Sequence, residues 1–212
     1  MPNHVPVGVI LRASPYIQGT DSKDSWTARV DLTGKLLVAM PHMGDFRFER
    51  SVVYLCAHSP EGAMGLIVNK PAQDLSLQDV LAKLDVQAES ALAKMPVYFG
   101  GPVETTRGFV LHSDEYSACL DSLEVSDGFA MTATQDILED IAAGSGPARA
   151  LIALGYAGWG PGQLEQELVA NGWLTAEPNA ALVFGPDAKK WEGAIRSLGV
   201  DPLALSTETG RA

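Results

Sequence analysis

Within the run MPHMGDFRFERSV, Asp45, Arg47, Glu49 and Arg50 follow one another at intervals of one or two residues. A guanidinium is a planar fork that grips a carboxylate or phosphate through two parallel hydrogen bonds. The spacing therefore suits a recognition loop in which Arg47 or Arg50 holds an anion. The same residues also suit a salt-bridged loop between two buried strands, with Phe46 and Phe48 alternately buried. Arg107 and His112 lie beside glycine-rich turns, where backbone approaches a ligand closely. With Arg47, Arg50 and Asp45 they make up the polar site that an enzyme or a small-anion-binding protein would need.

Other chemistries find less support. Cys56-x-His58 and His112-x-Asp114 have the residue types of metal ligands, but neither gives a helical i,i+4 pair or a paired C-x-x-C. No metal and no cofactor are expected. No G-x-S-x-G is present, and Ser59 and Ser113 stand at loop starts without elbow geometry. Cys56 lies within an apolar run, where a thiol is buried and inert. His58, two residues on, falls on the same strand face and keeps a Cys–His pair open. The stretch GYAGWGPGQLEQEL places four glycines and a proline before a short helix, as phosphate cradles do. Its Glu165 and Glu167 would repel a phosphate, no Lys or Arg stands nearby, and neither nucleotide fingerprint is matched. It reads as a structural turn in which Gly160 caps the helix, Pro161 takes its first position and Gln163 reaches back to the cap. Asn171-Gly172 ends that helix, with Gly172 after the cap and Trp173 packed on Leu168.

The elements that must position these residues belong to a chain of 212 residues, enough for one substantial core or two small ones. Its formal net charge is −11, and residues 114–212 hold fifteen acidic side chains against five basic ones. Segment 31–70 balances, and no region has the basic surplus that drives nucleic-acid binding, so direct DNA or RNA contact is not expected. Two cysteines, Cys56 and Cys119, read as reduced thiols of a cytoplasmic protein. VPVGVIL near the start is broken by Pro6 and Gly8 and has no basic lead, which argues against a signal peptide. The longest uncharged run, Ala150 to Leu164, is too short and too rich in glycine to span a bilayer.

Residues 1–30 read as an arm or long loop, 31–200 as one domain and 201–212 as a tail. Strands are expected at GKLLVAMP, SVVYLCAHS and MGLIVNK, the last two forming a hairpin. Asp74-Leu75-Ser76 opens a helix bearing Leu77, Val80, Leu81 and Leu84, with Ser76 and Asp79 as a capping pair. MPVYFGG, GFVLHS and GFAMTAT follow as strands, with GPVETTR as a loop, and Gln135–Ala143 forms a helix stopped by Gly144. ARALIALGYAGW is a strand, PGQLEQELVANG a helix and AALVFGP a last strand. Asp187 caps a helix carrying Trp191, Ile195 and Leu198, and Asp201-Pro202 starts one more turn. The order predicts a single α+β (or α/β) domain, a mixed sheet with flanking helices. Passages around 69–98 and 151–184 allow parallel strand pairs.

Three stretches together, GKLLVAMPHMGDFRFERSVVYLCAHSPEGAMGLIVNKP, VYFGGPVETTRGFVLHS and ALGYAGWGPGQLEQELVANGWL, resemble the AlgH/YqgE family of bacterial cytosolic proteins. The resemblance covers most of residues 32–185, with departures at His42 and Phe46, where the family carries a small residue and a proline. It implies a compact mixed-sheet fold, no established enzymatic activity, and for one branch a proposed role in transcriptional regulation. Matching positions include Asp45, Arg47, Phe48, Glu49, Arg50, Asn69, Arg107, His112, Trp159 and Gln163. The expectation is a non-enzymatic binding or regulatory protein acting through a protein partner or small ligand. Asp45, Arg47, Arg50, Asn69, Arg107, His112 and Trp159 are its candidate contact residues.

Overall fold

The computed structural model describes residues 31–86, 94–117 and 121–206. The arm at 1–30, Cys119 and the tail from 207 lie outside the described residues. Ten strands form one sheet: β1 Leu36–Ala39, β2 Val52–Ser59, β3 Gly62–Ile67, β4 Pro71–Ser76, β5 Pro96–Phe99, β6 Val103–His112, β7 Leu123–Ser126, β8 Phe129–Thr132, β9 Ala150–Trp159 and β10 Trp173–Ala176. The path runs β10-β1-β2-β3-β9-β6-β8-β7, and β5 joins β9 with β4 on its other side. All pairs are antiparallel except β5 with β9, so the sheet is mixed, as expected. The two passages that allowed parallel pairing do not supply this pair. β4 runs antiparallel to β5, and β10 pairs antiparallel with β1.

Alternation along the strands feeds two faces. On one, Leu36, Val38, Tyr54, Leu66, Phe109 and Leu111 pack under α4 Ala180–Val183 and α5 Asp187–Ser197, through Val183, Trp191, Ala194 and Ile195. On the other, Leu37, Val53, Leu55 and Ile67 pack beneath α3 Gln163–Val169. Further along that face, Val97, Val110 and Ile152 meet α1 Leu77–Lys83 and α2 Asp136–Ala142. A short α6, Pro202–Ser206, supplies the last expected turn.

β9 serves both halves of the second face because it changes parity at Gly155. Leu151 and Ala153 face α5 before it, and Tyr156 does so after it. Ile152 and Trp159 consequently share the opposite side. Gly155 has φ 70°, and a Cβ there would stand 2.5 Å from the Gly101 carbonyl oxygen. Only glycine fits such a bulge.

Several local expectations are corrected. AALVFGP is helical at Ala180–Val183 because Asn179 Oδ1 accepts the Leu182 N–H at 2.8 Å, and a short apolar run has no period of its own to oppose that cap. The helix expected from Asp74 starts at Leu77, since β4 keeps its pairing with β5 to Ser76. The Ser76 N–H does bond Asp79 Oδ2, at 2.8 Å. GPVETTR is largely strand, the first half of β6, bulged where Glu104 takes φ 47°. β7 and β10 were absent from the expected elements. They are four-residue strands, and pairing with β8 and β1 selects them. At α3 the cap is Gly162 in a left-handed conformation rather than Gly160, although Gln163 Oε1 still accepts the Gly160 N–H at 3.1 Å. Its stop places Asn171, not Gly172, in the left-handed position, with the Gly172 N–H on the Glu167 carbonyl. Asp187 is the first helical residue of α5 after a Pro186 cap, and its carboxylate turns to Lys190.

Candidate functional site

The segment between β1 and β2 folds as a braced loop. Asp45 Oδ1 accepts the Arg47 N–H at 3.0 Å and sets up a 3₁₀ turn over Phe46–Phe48. The Arg47 guanidinium closes back on the same carboxylate, Nε at 3.0 Å and Nη2 at 2.6 Å. That hydrogen bond holds the Asp45 carboxyl below its ordinary range and raises the Arg47 guanidinium above its own. The planar fork is present, but Asp45 already occupies it. Lys70 Nζ donates to the Arg47 carbonyl at 2.7 Å; burial is the main influence lowering its affinity for a proton, with Glu49 and Asp45 opposing.

Asn69 holds the exit of the loop. Arg50 has φ 51°, which breaks the ladder, and Asn69 bridges the gap: Nδ2 donates to the Arg50 carbonyl and Oδ1 accepts the Val52 N–H, both at 2.8 Å. The Arg50 guanidinium lies 4.5 Å from the centre of the Trp191 ring and 3.9 Å from Glu192. Trp191 in turn donates Nε1–H to the Ala39 carbonyl at 2.8 Å, tying α5 to the end of β1. Next to it Lys190, 1% exposed, donates to the Val68 carbonyl and pairs with Asp187 at 2.8 Å. Phe48 is half-buried, edge-on to Trp173 with ring centres 5.6 Å apart. Phe46 is 81% exposed, so of the two phenylalanines only Phe48 turns inward.

Arg107 and His112 sit elsewhere. Arg107 pairs with Glu104 at 3.2 Å and lies over Phe109. His112 is fully buried at the end of β6. Its Nδ1–H donates to the Ser113 carbonyl at 3.0 Å, which leaves Nε2 to accept from the Thr132 hydroxyl at 2.9 Å. Ser122 completes the chain by donating to Thr132. This arrangement needs a neutral ring, and burial pushes His112 below the usual histidine range. Among the described hydrogen bonds and ion pairs, the side chains of Arg47, Arg50, Arg107 and His112 share no partner. Asp45, Arg47, Arg50 and Asn69 are brought together by one loop; Arg107, His112 and Trp159 are not part of it.

Cys56 and His58 part company at a register shift in β2 between Leu55 and Ala57. Cys56 joins the cluster beneath α5, while His58 takes the Leu32 N–H on Nδ1 and donates from Nε2 to Glu165 of α3 at 3.0 Å. Among the described residues no cluster of three or more His, Cys, Asp or Glu is placed to hold a metal ion. Trp159 is buried and donates Nε1–H to Glu167 at 2.9 Å.

Sequence reasoning passed over Lys190 and Thr132, and it named Glu167 and Trp173 for other roles, the first as a carboxylate that repels phosphate and the second as packing on Leu168. Only the packing of α3 and α5 against the sheet turns Glu167 and Lys190 inward. The one available signal was Trp173 beside the Asn171-Gly172 stop.

Comparison with known proteins agrees with the fold. Residues 36–203 match the family model described as AlgH-like. A UPF0301 protein of Ruegeria pomeroyi is 61% identical over 185 residues, which cover 86% of this chain and all of that protein. A UPF0301 protein of Paracoccus denitrificans is 53% identical over 185 residues, covering 86% of this chain and 97% of its own length. The solution structure of the AlgH protein from Pseudomonas aeruginosa superposes with a TM-score of 0.71 at 42% identity, covering 91% of this chain and all of that one. A crystal structure of protein DIP2367 from Corynebacterium diphtheriae shares the fold, with a TM-score of 0.65 at 22% identity over 84% of this chain and 92% of that one.

Proposed function

The chain belongs to the AlgH-like family, and from that premise we propose that it is a non-enzymatic binding protein of the bacterial cytoplasm that engages a protein partner through the 40–50 loop. The observation that carries this reading is Phe46, 81% exposed at the tip of a loop otherwise pinned from several sides. An aromatic ring on a rigid support loses little conformational freedom on binding, and such rings anchor protein interfaces. The loop's own charges point the same way. Arg47 is committed to Asp45 and Arg50 to Trp191, so their role is to brace the loop while Phe46 makes contact. A reduced, buried Cys56 suits a reducing compartment. Any regulatory effect on transcription would run through the partner, since the acidic surface disfavours direct contact with DNA.

Cross-linking in the native cell followed by affinity capture tests the proposal. A stoichiometric partner should be recovered with the natural chain and lost with Phe46→Ala, while thermal unfolding of the variant stays unchanged. Recovery of the protein alone, or equal recovery with both chains, overturns it.

A further inference from the structure

His58 of β2 lies against the segment that leads into β1, and its ring is held from two sides. The Leu32 N–H donates to Nδ1 at 3.1 Å, so that nitrogen carries no proton. Nε2 carries it instead and donates to Glu165 Oε1 of α3 at 3.0 Å. The His58 N–H donates to Thr33 Oγ1 at 3.0 Å, and Leu32 belongs to the apolar cluster beneath α3. The imidazole is 9% exposed. Asp31 stands at the outer edge, 72% exposed, with Oδ1 4.0 Å from Nδ1 and accepting the Thr33 N–H at 2.9 Å.

A ring nitrogen accepts from a backbone N–H only while the imidazole is neutral. Protonation turns Nδ1 into a donor and would set two N–H groups head to head at 3.1 Å. The charged ring must therefore release Leu32, and the Asp31 carboxylate is the acceptor within reach of the new proton. Nε2 is a donor in both states, so the bond to Glu165 survives the change. Asp31 and Glu165 are the only carboxylates within 4.0 Å of the ring nitrogens among the described residues. Opposite His58 on β3 stands Ala63, which is uncharged. Glu61 lies in the turn after β2, and Lys35 is committed to Glu177. We propose that His58 is a pH-sensitive clasp on the segment joining residues 1–30 to the sheet: neutral, it holds the Leu32 N–H; protonated, it exchanges that contact for the Asp31 carboxylate. The clasp makes no use of the Phe46 loop, so the two proposals stand or fall separately.

Proton and nitrogen NMR of the full chain from about pH 8 to 5, the interval over which histidines change charge, decides it. At the upper end the His58 ring nitrogens should report the Nε2–H form. As the ring protonates, the Leu32 amide resonance should move with the same midpoint, while the Gly34 amide, bonded to the Leu55 carbonyl, keeps its position. Asp31→Asn changes an exposed side chain and should move that midpoint down by roughly 0.2–0.7 pH unit, the worth of one exposed ion pair. His58→Gln should remove the movement of the Leu32 amide altogether. If His58→Gln does not fold, Asp31→Asn carries the test alone. An Nδ1–H ring at the upper end, protonation that leaves the Leu32 amide in place, or an unchanged midpoint in Asp31→Asn overturns the proposal.

Discussion

Trp159 of β9 and Trp173 of β10 donate their indole N–H groups to one carboxylate oxygen, Oε2 of Glu167, at 2.9 and 2.8 Å, with their rings edge-to-face at 5.9 Å. The other oxygen accepts from Gln163 Nε2 at 2.9 Å. The Glu167 carboxylate beside the glycine-rich turn is thus engaged by three donors of the protein itself, and the turn serves to join α3 to the sheet.

Replacing Glu167 should therefore cost more than a surface charge normally does. Glu167→Ala strands two part-buried indole donors, each worth about 1–3 kcal/mol when left unpaired. The expected loss is about 2–4 kcal/mol in urea unfolding followed by tryptophan fluorescence. Glu167→Gln, which keeps an acceptor oxygen, should lose less than half of that. Equal stability of all three chains would show that the shared carboxylate contributes nothing.

Gly155→Ala should destabilise the chain by well over the roughly 1–2 kcal/mol that a left-handed L-residue costs, because its Cβ also meets backbone oxygens of Gly101 and Val103 at 2.5 and 2.8 Å. Gly108→Ala, in the same sheet but facing open space, is the matched control and should change stability by less than about 1 kcal/mol. Denaturant midpoints of the two variants provide the comparison.

Burial holds the His112 ring below the ordinary histidine range, against the opposing pull of the Ser113 carbonyl, Glu115 and Asp114. Near pH 6 the unfolded chain therefore takes up a proton more readily than the folded one. The stability owed to the neutral ring is fully present above about pH 6.5 and declines as pH falls toward the lower folded value. In His112→Gln, which retains hydrogen-bonding capacity toward Thr132, the part of the pH 7.5–5.5 slope due to this group should vanish. Urea midpoints at three pH values for both chains measure it; parallel slopes would refute it.

The Cys56 thiol is pushed up to about 12, chiefly by burial, with a backbone hydrogen bond from Leu66 working against it. At pH 8 its alkylation by iodoacetamide should be slower in the folded chain than in urea by a hundredfold or more, on the order of the thiolate fraction lost. Peptide mapping by mass spectrometry separates it from Cys119. Rapid labelling in the native state would revive the Cys–His reading that the shift in β2 argues against.

The long elements were legible in the sequence for a plain reason: their own side chains carry the pattern. β2, β3 and β9 show runs of apolar residues, α2 shows Ile137, Leu138 and Ile141 on one face, and the hairpin at Ser59 to Gly62 is marked by its turn residues. The loop at 40–50 was singled out by its alternating charges, and the structure does gather Asp45, Arg47, Arg50 and Asn69 around it.

Amino-acid order by itself determined a mixed helix-and-strand domain and the positions of the strong turns, since these follow from local period and backbone preference. Beyond the β2–β3 hairpin, tertiary structure alone decided which strand neighbours which, that β5 runs parallel to β9, and that four-residue segments such as Leu123–Ser126 and Trp173–Ala176 are strands at all. It also decided which charges turn inward, placing Glu167 under two indoles and Lys190 against a backbone carbonyl. A short segment gains too little from its own contacts to choose a conformation, and a polar side chain is buried only where the fold brings it a partner. Both conditions are met by residues distant in the chain, so neither is written in the local sequence.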